Sequence, residues 1–436
     1  MTAERSPLLL RARVVLPIRH PPIEDGAVVI SGNRIIAVGR WRRLGAIFSD
    51  RMVDLGETIL LPGLVNAHCH LDYTDMAGLF PPPNSFCDWV KSITAEKSQW
   101  THAGFMESWL NGARMLLRAG ATTVADIESV PQLLPAVWAA VPLRVFSFLE
   151  MTGIRSRRAP DAILAEAVET ADSLPVGRCA IGLSPHAPYS TTPALMSRCA
   201  AAARRRKWRV VTHVSESATE FEMFTRGRGE MFDWLRRSER DMSDCGGLSP
   251  VQHLLQAGLL RRNLLAIHVN YLAPGDAALL AHQQVSVVHC PRSHDYFQHR
   301  PFPFPALAKA GVNICLGTDS LATVRKRPRE TIELNLFDEM RAFAAANPRV
   351  SAGQILRLAT VHGARALGLA RQAGELARHA FADMIALPFH GKTAESYDAV
   401  LNYSGPVAAS MINGQWAIAP PTLQGPGKRT AAKHHD

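Results

Sequence analysis

Apolar and polar positions keep a short period at both ends of the chain and a longer one in the middle. The runs LLLRARVVLPI and GAVVISGNRIIAVGR open it as short strands, with turn chemistry at Glu24-Asp25-Gly26 and Ser31-Gly32-Asn33. ADMIALP, DAVLNYS and VAASMINGQWAIAP close it with the same texture, Asn413-Gly414 supplying a hairpin turn. Between them, eight strand-like runs follow one another: LLPGLVNAHCH, ATTVADI, LRVFSFLE, CAIGLS, RVVTHV, NLLAIHV, VSVVHC and NICLGT. Most are followed by stretches with apolar residues three and four apart, such as FMESWLNGARMLLRAG and TPALMSRCAAAARR. Strand–helix alternation repeated eight times predicts a (β/α)8 TIM-like barrel rather than an open doubly wound sheet. The expected organisation is an α/β protein in which residues 61–372 form the barrel. Residues 1–60 and 373–422 form a small β-sandwich domain from both termini, and 423–436 form a disordered basic tail.

Composition removes several alternatives. With 47% hydrophobic and 20% charged residues over 436 positions, the chain is neither disordered, collagen-like nor a coiled coil. Neither Gly-x-Gly-x-x-Gly after a strand nor a P-loop is present, so dinucleotide and nucleotide-triphosphate chemistry have no support. The net charge of +10 raises the question of nucleic acid. One knot of it, Arg204-Arg205-Arg206-Lys207, ends a helical stretch, where cations favour the helix C-terminus, and another lies in the tail. No recognition helix or zinc-finger spacing accompanies them, so no nucleic-acid partner is expected. The seven scattered cysteines contain no Cys-x-x-Cys pair and read as small thiols in a reducing compartment. The N-terminus lacks a signal peptide's apolar run, and no stretch reaches about 18 uninterrupted apolar residues. A cytoplasmic protein with no membrane partner, a small-molecule substrate and a homo-oligomeric (dimeric or tetrameric) assembly is the expectation.

The 17 histidines change the picture through their positions. His68 and His70 close the first barrel strand, where residues two apart share a face, so both imidazoles are expected inward and Cys69 outward. His213 ends the fifth run, His268 the sixth, His289 the seventh and Asp319 the eighth. Active sites of such barrels lie at the C-terminal strand ends, so these six groups are expected on one rim. Three imidazoles and a carboxylate suit Zn²⁺ or Fe²⁺ with a water completing the site. A second metal would want a bridging carboxylated lysine, and none of the eight lysines ends a barrel strand. One divalent metal per chain is therefore expected, with Zn²⁺ ahead of Fe²⁺.

Glu216 stands three residues after His213, placed to relay protons beside such a metal; the competing reading makes it a helix cap or surface residue. Releasing an amine from an aromatic ring needs a proton on the ring nitrogen and another on the leaving ammonia. One carboxyl of raised pKa can supply both. His268 is expected to orient the attacking water or the tetrahedral intermediate.

PGLVNAHCH, Thr212-His213 with Glu216, His268 and LGTDS together resemble the amidohydrolase superfamily in its one-metal, deaminase-type branch. ILRLATVHGARALGL and GELARHAFADMIAL resemble the return to that family's small domain, so the likeness spans nearly the whole chain. It implies metal on His68, His70, His213 and Asp319, with Glu216, His268 and Asp319 catalytic. Ser184-Pro185-His186-Ala187-Pro188-Tyr189-Ser190 is similar to the stretch of methylthioadenosine/S-adenosylhomocysteine deaminases whose histidine contacts substrate, which implies that role for His186. Phe86-x-x-Trp89, VVHCPRSHDYFQH and GTDSLAT look closer to aminodeoxyfutalosine deaminases of menaquinone biosynthesis. The expected substrate is a 6-aminopurine nucleoside with a carboxyaryl substituent. The alternatives are methylthioadenosine, S-adenosylhomocysteine or adenosine, and a triazine- or guanine-type amino- or chlorohydrolase reaction.

For the pocket walls, the first loop offers Tyr73, Phe80, Phe86 and Trp89. The seventh offers Arg292, Ser293, His294, Tyr296, Phe297 and His299 beside His289, and the eighth Arg325-Lys326-Arg327. Glu150 ends the third strand, either facing the rim or serving as a structural acceptor.

Overall fold

The computed structural model describes residues 6–153, 158–175 and 177–423. The expected disordered tail, apart from Leu423, falls outside the described residues. The barrel strands are β1 (Leu64–Cys69), β2 (Ala121–Glu128), β3 (Arg144–Met151), β4 (Ala180–Pro185), β5 (Val210–Val214), β6 (Leu264–His268), β7 (Ser286–His289) and β8 (Asn313–Leu316). Each pairs in parallel with the next. The ring closes where Cys69 bridges to Asp319, with the Thr318 and Asp319 amides donating to the His68 carbonyl at 3.0 and 3.2 Å. Gly317 permits this approach: a Cβ there would lie 2.8 Å from the His68 carbonyl oxygen.

Alternation along the strands builds two apolar layers. Val65, Ala67, Ala125, Ile127, Phe148, Val211, Leu265, Ile267, Val288 and Cys315 fill the barrel, closed at one end by Ala364 and Leu367. Val124, Val145, Leu149, Val210, Leu264, Ala266, Val287 and Ile314 face outward against the helices, including Leu116, Leu134 and Met196.

The termini form one eight-stranded sheet. Its path runs from Gln415–Ile418 through Ala409–Ile412, Met384–Pro388, Thr58–Pro62, Leu8–Val15 and Ile23–Ser31 to Arg34–Arg40, with Met52–Asp54 beside Leu8–Val15. The path curls so that Leu10, Val28 and Ile35 share a core with Met384, Ala409 and Met411. The apolar run LLPGLVNAHCH, expected as one strand, is divided at Gly63: Thr58–Pro62 pairs with Met384–Pro388, and the barrel starts at Leu64. Gly63 permits close packing at this division, since a Cβ there would lie 2.1 Å from the Thr122 side chain. Across the junction Arg144 donates to Asp383 from Nε and Nη2, both at 3.1 Å, in a buried pair. No described helix is long and apolar enough to cross a membrane.

Candidate active site

Simple alternation would turn His68 and His70 away from the barrel, because Val65 and Ala67 already point in. A register shift between Asn66 and Cys69 resets the pairing against β2, so both imidazoles turn inward and Cys69 joins the outer layer. His268 follows the inward Ile267 and would face outward on the same rule. Its left-handed φ of 71° swings it back toward the cavity. Asp319 (φ 54°) and Ser215 (φ 52°) are two more non-glycine residues held left-handed at strand ends.

These turns gather four expected ligand side chains. The Nε2 atoms of His68 and His70 lie 3.5 and 3.7 Å from Asp319 Oδ1, and His70 Nε2 lies 3.4 Å from His213 Nε2. Two overlapping groups have the spacing to hold an ion: His68, His70 and Asp319, and His68, His213 and His268. The neighbours orient these donors. His213 Nδ1 faces the His186 carbonyl at 3.0 Å, which in the neutral ring leaves Nε2 as the lone pair. Asp319 Oδ2 accepts from Ser293 Oγ at 2.6 Å and Thr323 Oγ1 at 3.3 Å, leaving Oδ1 toward the histidines. Burial, reinforced by His68, pulls His70 down to about 3, and burial takes His213 well below its usual value. Burial alone would raise Asp319, but His68, His268 and His70 hold it well below the carboxylate range. A neutral His70 and His213 and an ionised Asp319 are the protonation states a divalent cation needs. Both nitrogens of His68 and Nδ1 of His70 are buried with no hydrogen-bond partner among the described residues, a deficit that ligation would relieve in part.

Glu216 is 6% exposed, with Oε1 3.4 Å from His268 Nε2. The helix cap is Ser217, whose side chain accepts from the Glu220 amide, so Glu216 is free of that duty. Its backbone is fixed on both sides: the Glu216 amide donates to Glu220 Oε2 at 2.8 Å, and Asn270 Nδ2 donates to the Glu216 carbonyl at 2.9 Å. Burial, with Asp319 and Glu220 adding to it, pushes the Glu216 carboxyl well above its usual range. A buried carboxyl biased toward its protonated form therefore sits beside the histidine cluster.

The cluster opens into a cavity of about 640 Å³ lined by His70, His213, Glu216, His268 and Asp319 together with Tyr73, Trp89, Glu150 and His186. Helix Phe86–Lys97 forms one wall. His186 Nδ1 meets Ser190 Oγ at 2.6 Å and its Nε2 lies 3.9 Å from Glu150 Oε1. Burial alone would raise Glu150, but Lys97, His186 and His70 bring it down to about 2. Glu150 thus faces the cavity and is also an ion-pair partner, the two roles the sequence left open.

Three expected substrate contacts lie elsewhere. His289 falls between the inward Val288 and Cys290, so alternation sends it outward, where its ring stacks on Phe302 at 3.8 Å. His294 meets Asn270 Oδ1 at 3.0 Å and supports the residue that holds the Glu216 carbonyl. Phe86 packs beneath the wall against Trp89, Tyr189 and Phe297. None of these three lines the cavity among the described residues. Arg292 turns away to Glu339, 2.5 Å from Nε to Oε1, and Arg325-Lys326-Arg327 are exposed. Sequence reasoning missed Lys97, whose Nζ bonds the Tyr73 hydroxyl and lies 3.6 Å from Glu150 Oε2. It also missed Glu220. A Ser-x-x-Glu capping pattern at Ser217 was the available signal for the latter.

An eight-stranded parallel barrel with a His/Asp cluster and a buried carboxyl at its C-terminal rim defines a metal-dependent hydrolase class. The amidohydrolase family pattern matches residues 59–417, and the chain belongs to that family, as a hydrolase acting on carbon–nitrogen bonds. It is 31% identical over 418 residues to a 5-methylthioadenosine/S-adenosylhomocysteine deaminase of Syntrophobacter fumaroxidans, covering 89% of this chain and 86% of that one. It is 28% identical over 353 residues to an aminodeoxyfutalosine deaminase of Deinococcus radiodurans, covering 79% and 81%. A crystal structure of an adenosine deaminase from Xanthomonas campestris with bound zinc superimposes with a TM-score of 0.77 at 25% identity, covering 94% and 92%.

Proposed function

We propose that this protein is a metal-dependent hydrolytic deaminase that removes the 6-amino group of a purine nucleoside and releases ammonia. The observation that carries the reading is Glu216: a buried carboxyl of raised pKa, 3.4 Å from His268, on the wall shared by the His/Asp cluster and the cavity. Deaminase-named relatives support the reaction class.

His68, His70, His213 and Asp319 are the proposed ligands of one divalent ion, Zn²⁺ by preference because imidazole and carboxylate donors suit it. When bound, that ion supplies a water of lowered pKa and so a nucleophile at neutral pH. In the net reaction, water's oxygen bonds to C6, the C6–N bond breaks, and ammonia leaves. Glu216 gives its proton to the ring nitrogen, takes one from the attacking water and passes it to the departing amine; as the C6 carbonyl forms, the remaining hydroxyl proton returns to Glu216 and restores its acid form. His268 holds the water and the Glu216 carboxyl in register. His186 and Glu150 form the polar floor toward the sugar, and Tyr73 and Trp89 give apolar faces.

The preferred substrate is of the aminodeoxyfutalosine type, placing the enzyme in cytoplasmic menaquinone biosynthesis; methylthioadenosine, S-adenosylhomocysteine and adenosine are the alternatives. An ammonia-release panel over these four compounds, guanine and melamine tests the reading. Turnover of a purine nucleoside is expected. Release from melamine alone, or from none of the purines, would overturn it.

A further inference from the structure

Between strand β5 and helix Ala218–Arg226 the chain turns at Ser215, which is held left-handed at φ 52°. A non-glycine residue is strained there unless its surroundings impose the conformation. The Ser215 hydroxyl does not impose it, since Oγ is buried with no hydrogen-bond partner among the described residues. The backbone bonds do. The Ser215 amide donates to Glu220 Oε1 at 3.1 Å and the Glu216 amide to Glu220 Oε2 at 2.8 Å. From the other side, the Asn270 amide donates to the Ser215 carbonyl and Asn270 Nδ2 to the Glu216 carbonyl, both at 2.9 Å. Two residues, Glu220 and Asn270, thus take up all four backbone polar groups of Ser215 and Glu216.

Glu220 is fully buried, and the groups that stabilise its charge are backbone amides, with no cation beside it among the described residues. Burying a carboxylate without a cation is costly, and capping the helix does not require one, because Ser217 Oγ already accepts from the Glu220 amide at 3.1 Å. What a carboxylate supplies that a neutral side chain of the same shape does not is two acceptor oxygens side by side, one for each amide. We propose that Glu220 is a positioning residue for the reaction: with Asn270 it clamps the strained turn from which the Glu216 side chain reaches the cavity, and so fixes the Glu216 carboxyl beside His268. Glu220 does not itself line the cavity among the described residues, so it acts through Glu216. The inference rests on the proton-relay role proposed for Glu216.

The test is a double-mutant cycle. In Glu220→Gln the side-chain oxygen still accepts from one backbone N–H, but the side-chain nitrogen meets the other donor to donor. Ammonia release is measured on whichever of aminodeoxyfutalosine, methylthioadenosine and adenosine the wild type turns over. Its kcat is expected to fall about 10- to 100-fold, the scale of a misplacement of about 1 Å, with KM within about twofold and bound metal unchanged. In a Glu216→Gln background the same change should remove no more than about twofold, because the group it positions is already gone. Asn270→Asp, which loses the donor to the Glu216 carbonyl, should show the same dependence on background. An equal loss in both backgrounds, or a loss read in KM or metal content, would overturn the proposal. A crystal structure of Glu220→Gln gives a reading that needs no turnover: Ser215 is expected to leave the left-handed region and Glu216 Oε1 to withdraw from His268, and an unchanged turn would overturn the proposal as well. A displaced turn in a protein whose wild type releases ammonia from no purine nucleoside refutes the deaminase reading and leaves the clamp standing; release by the wild type with an undisplaced turn in the variant does the reverse.

Discussion

Replacing Glu216 by glutamine isolates the proton relay from everything else that holds the site. The amide side chain has the same shape as the carboxyl, and the two backbone bonds that fix this position, to Glu220 Oε2 and from Asn270 Nδ2, do not involve the side chain that changes. What disappears is a transferable proton next to His268. General acid–base transfer is worth about 10²–10⁴-fold, or about 2.7–5.4 kcal/mol of barrier. Ammonia release by Glu216→Gln should therefore fall by about that factor in kcat, with bound metal unchanged. The stability sign is opposite. The folded Glu216 carboxyl lies above its unfolded value of about 4.3, so unfolding releases a proton and wild-type stability declines as pH rises above that value. Glutamine has no such penalty, so its melting temperature should gain on wild type as pH rises above about 4.3. A steady-state ammonia assay, metal analysis and melting curves on one preparation settle both parts. A variant that kept most of its ammonia release, with its metal in place, would refute the relay.

Two further predictions probe the scaffold. Gly317→Ala places a Cβ 2.8 Å from the His68 Cβ and carbonyl oxygen, so His68 must shift; most of the bound metal and activity should be lost while the chain stays folded, as read by metal analysis and circular dichroism. Lys97→Met removes the main cation facing Glu150, whose folded value near 2 gives stability that is present above about pH 4.3 and lost as pH falls toward 2. The melting-temperature loss in this variant should accordingly be larger at about pH 7 than at about pH 4, and a pH-independent loss would contradict the ion-pair account.

The strand order and the rim position of the histidines were legible because a period of two and a strand terminus can be read from spacing alone. The direction of each side chain was less so. His68 and His70 point inward through a register shift, and His268 through a left-handed residue, neither of which leaves a mark in the pattern. His289 obeys plain alternation and therefore turns away from the cavity. Lys97 was hidden for a different reason: it ends a helix within the loop after β1, and nothing local says which loop folds over the mouth. The split at Gly63 was equally silent, since an apolar run reads the same whether it serves one sheet or two.

Metal content and ammonia release measured on the same sample, before chelation, after it and after adding Zn²⁺ back, test the central claim most directly. About one metal per chain, loss of purine-nucleoside deamination with the metal, and its return with Zn²⁺ are expected. Undiminished ammonia release from metal-free protein would contradict the account.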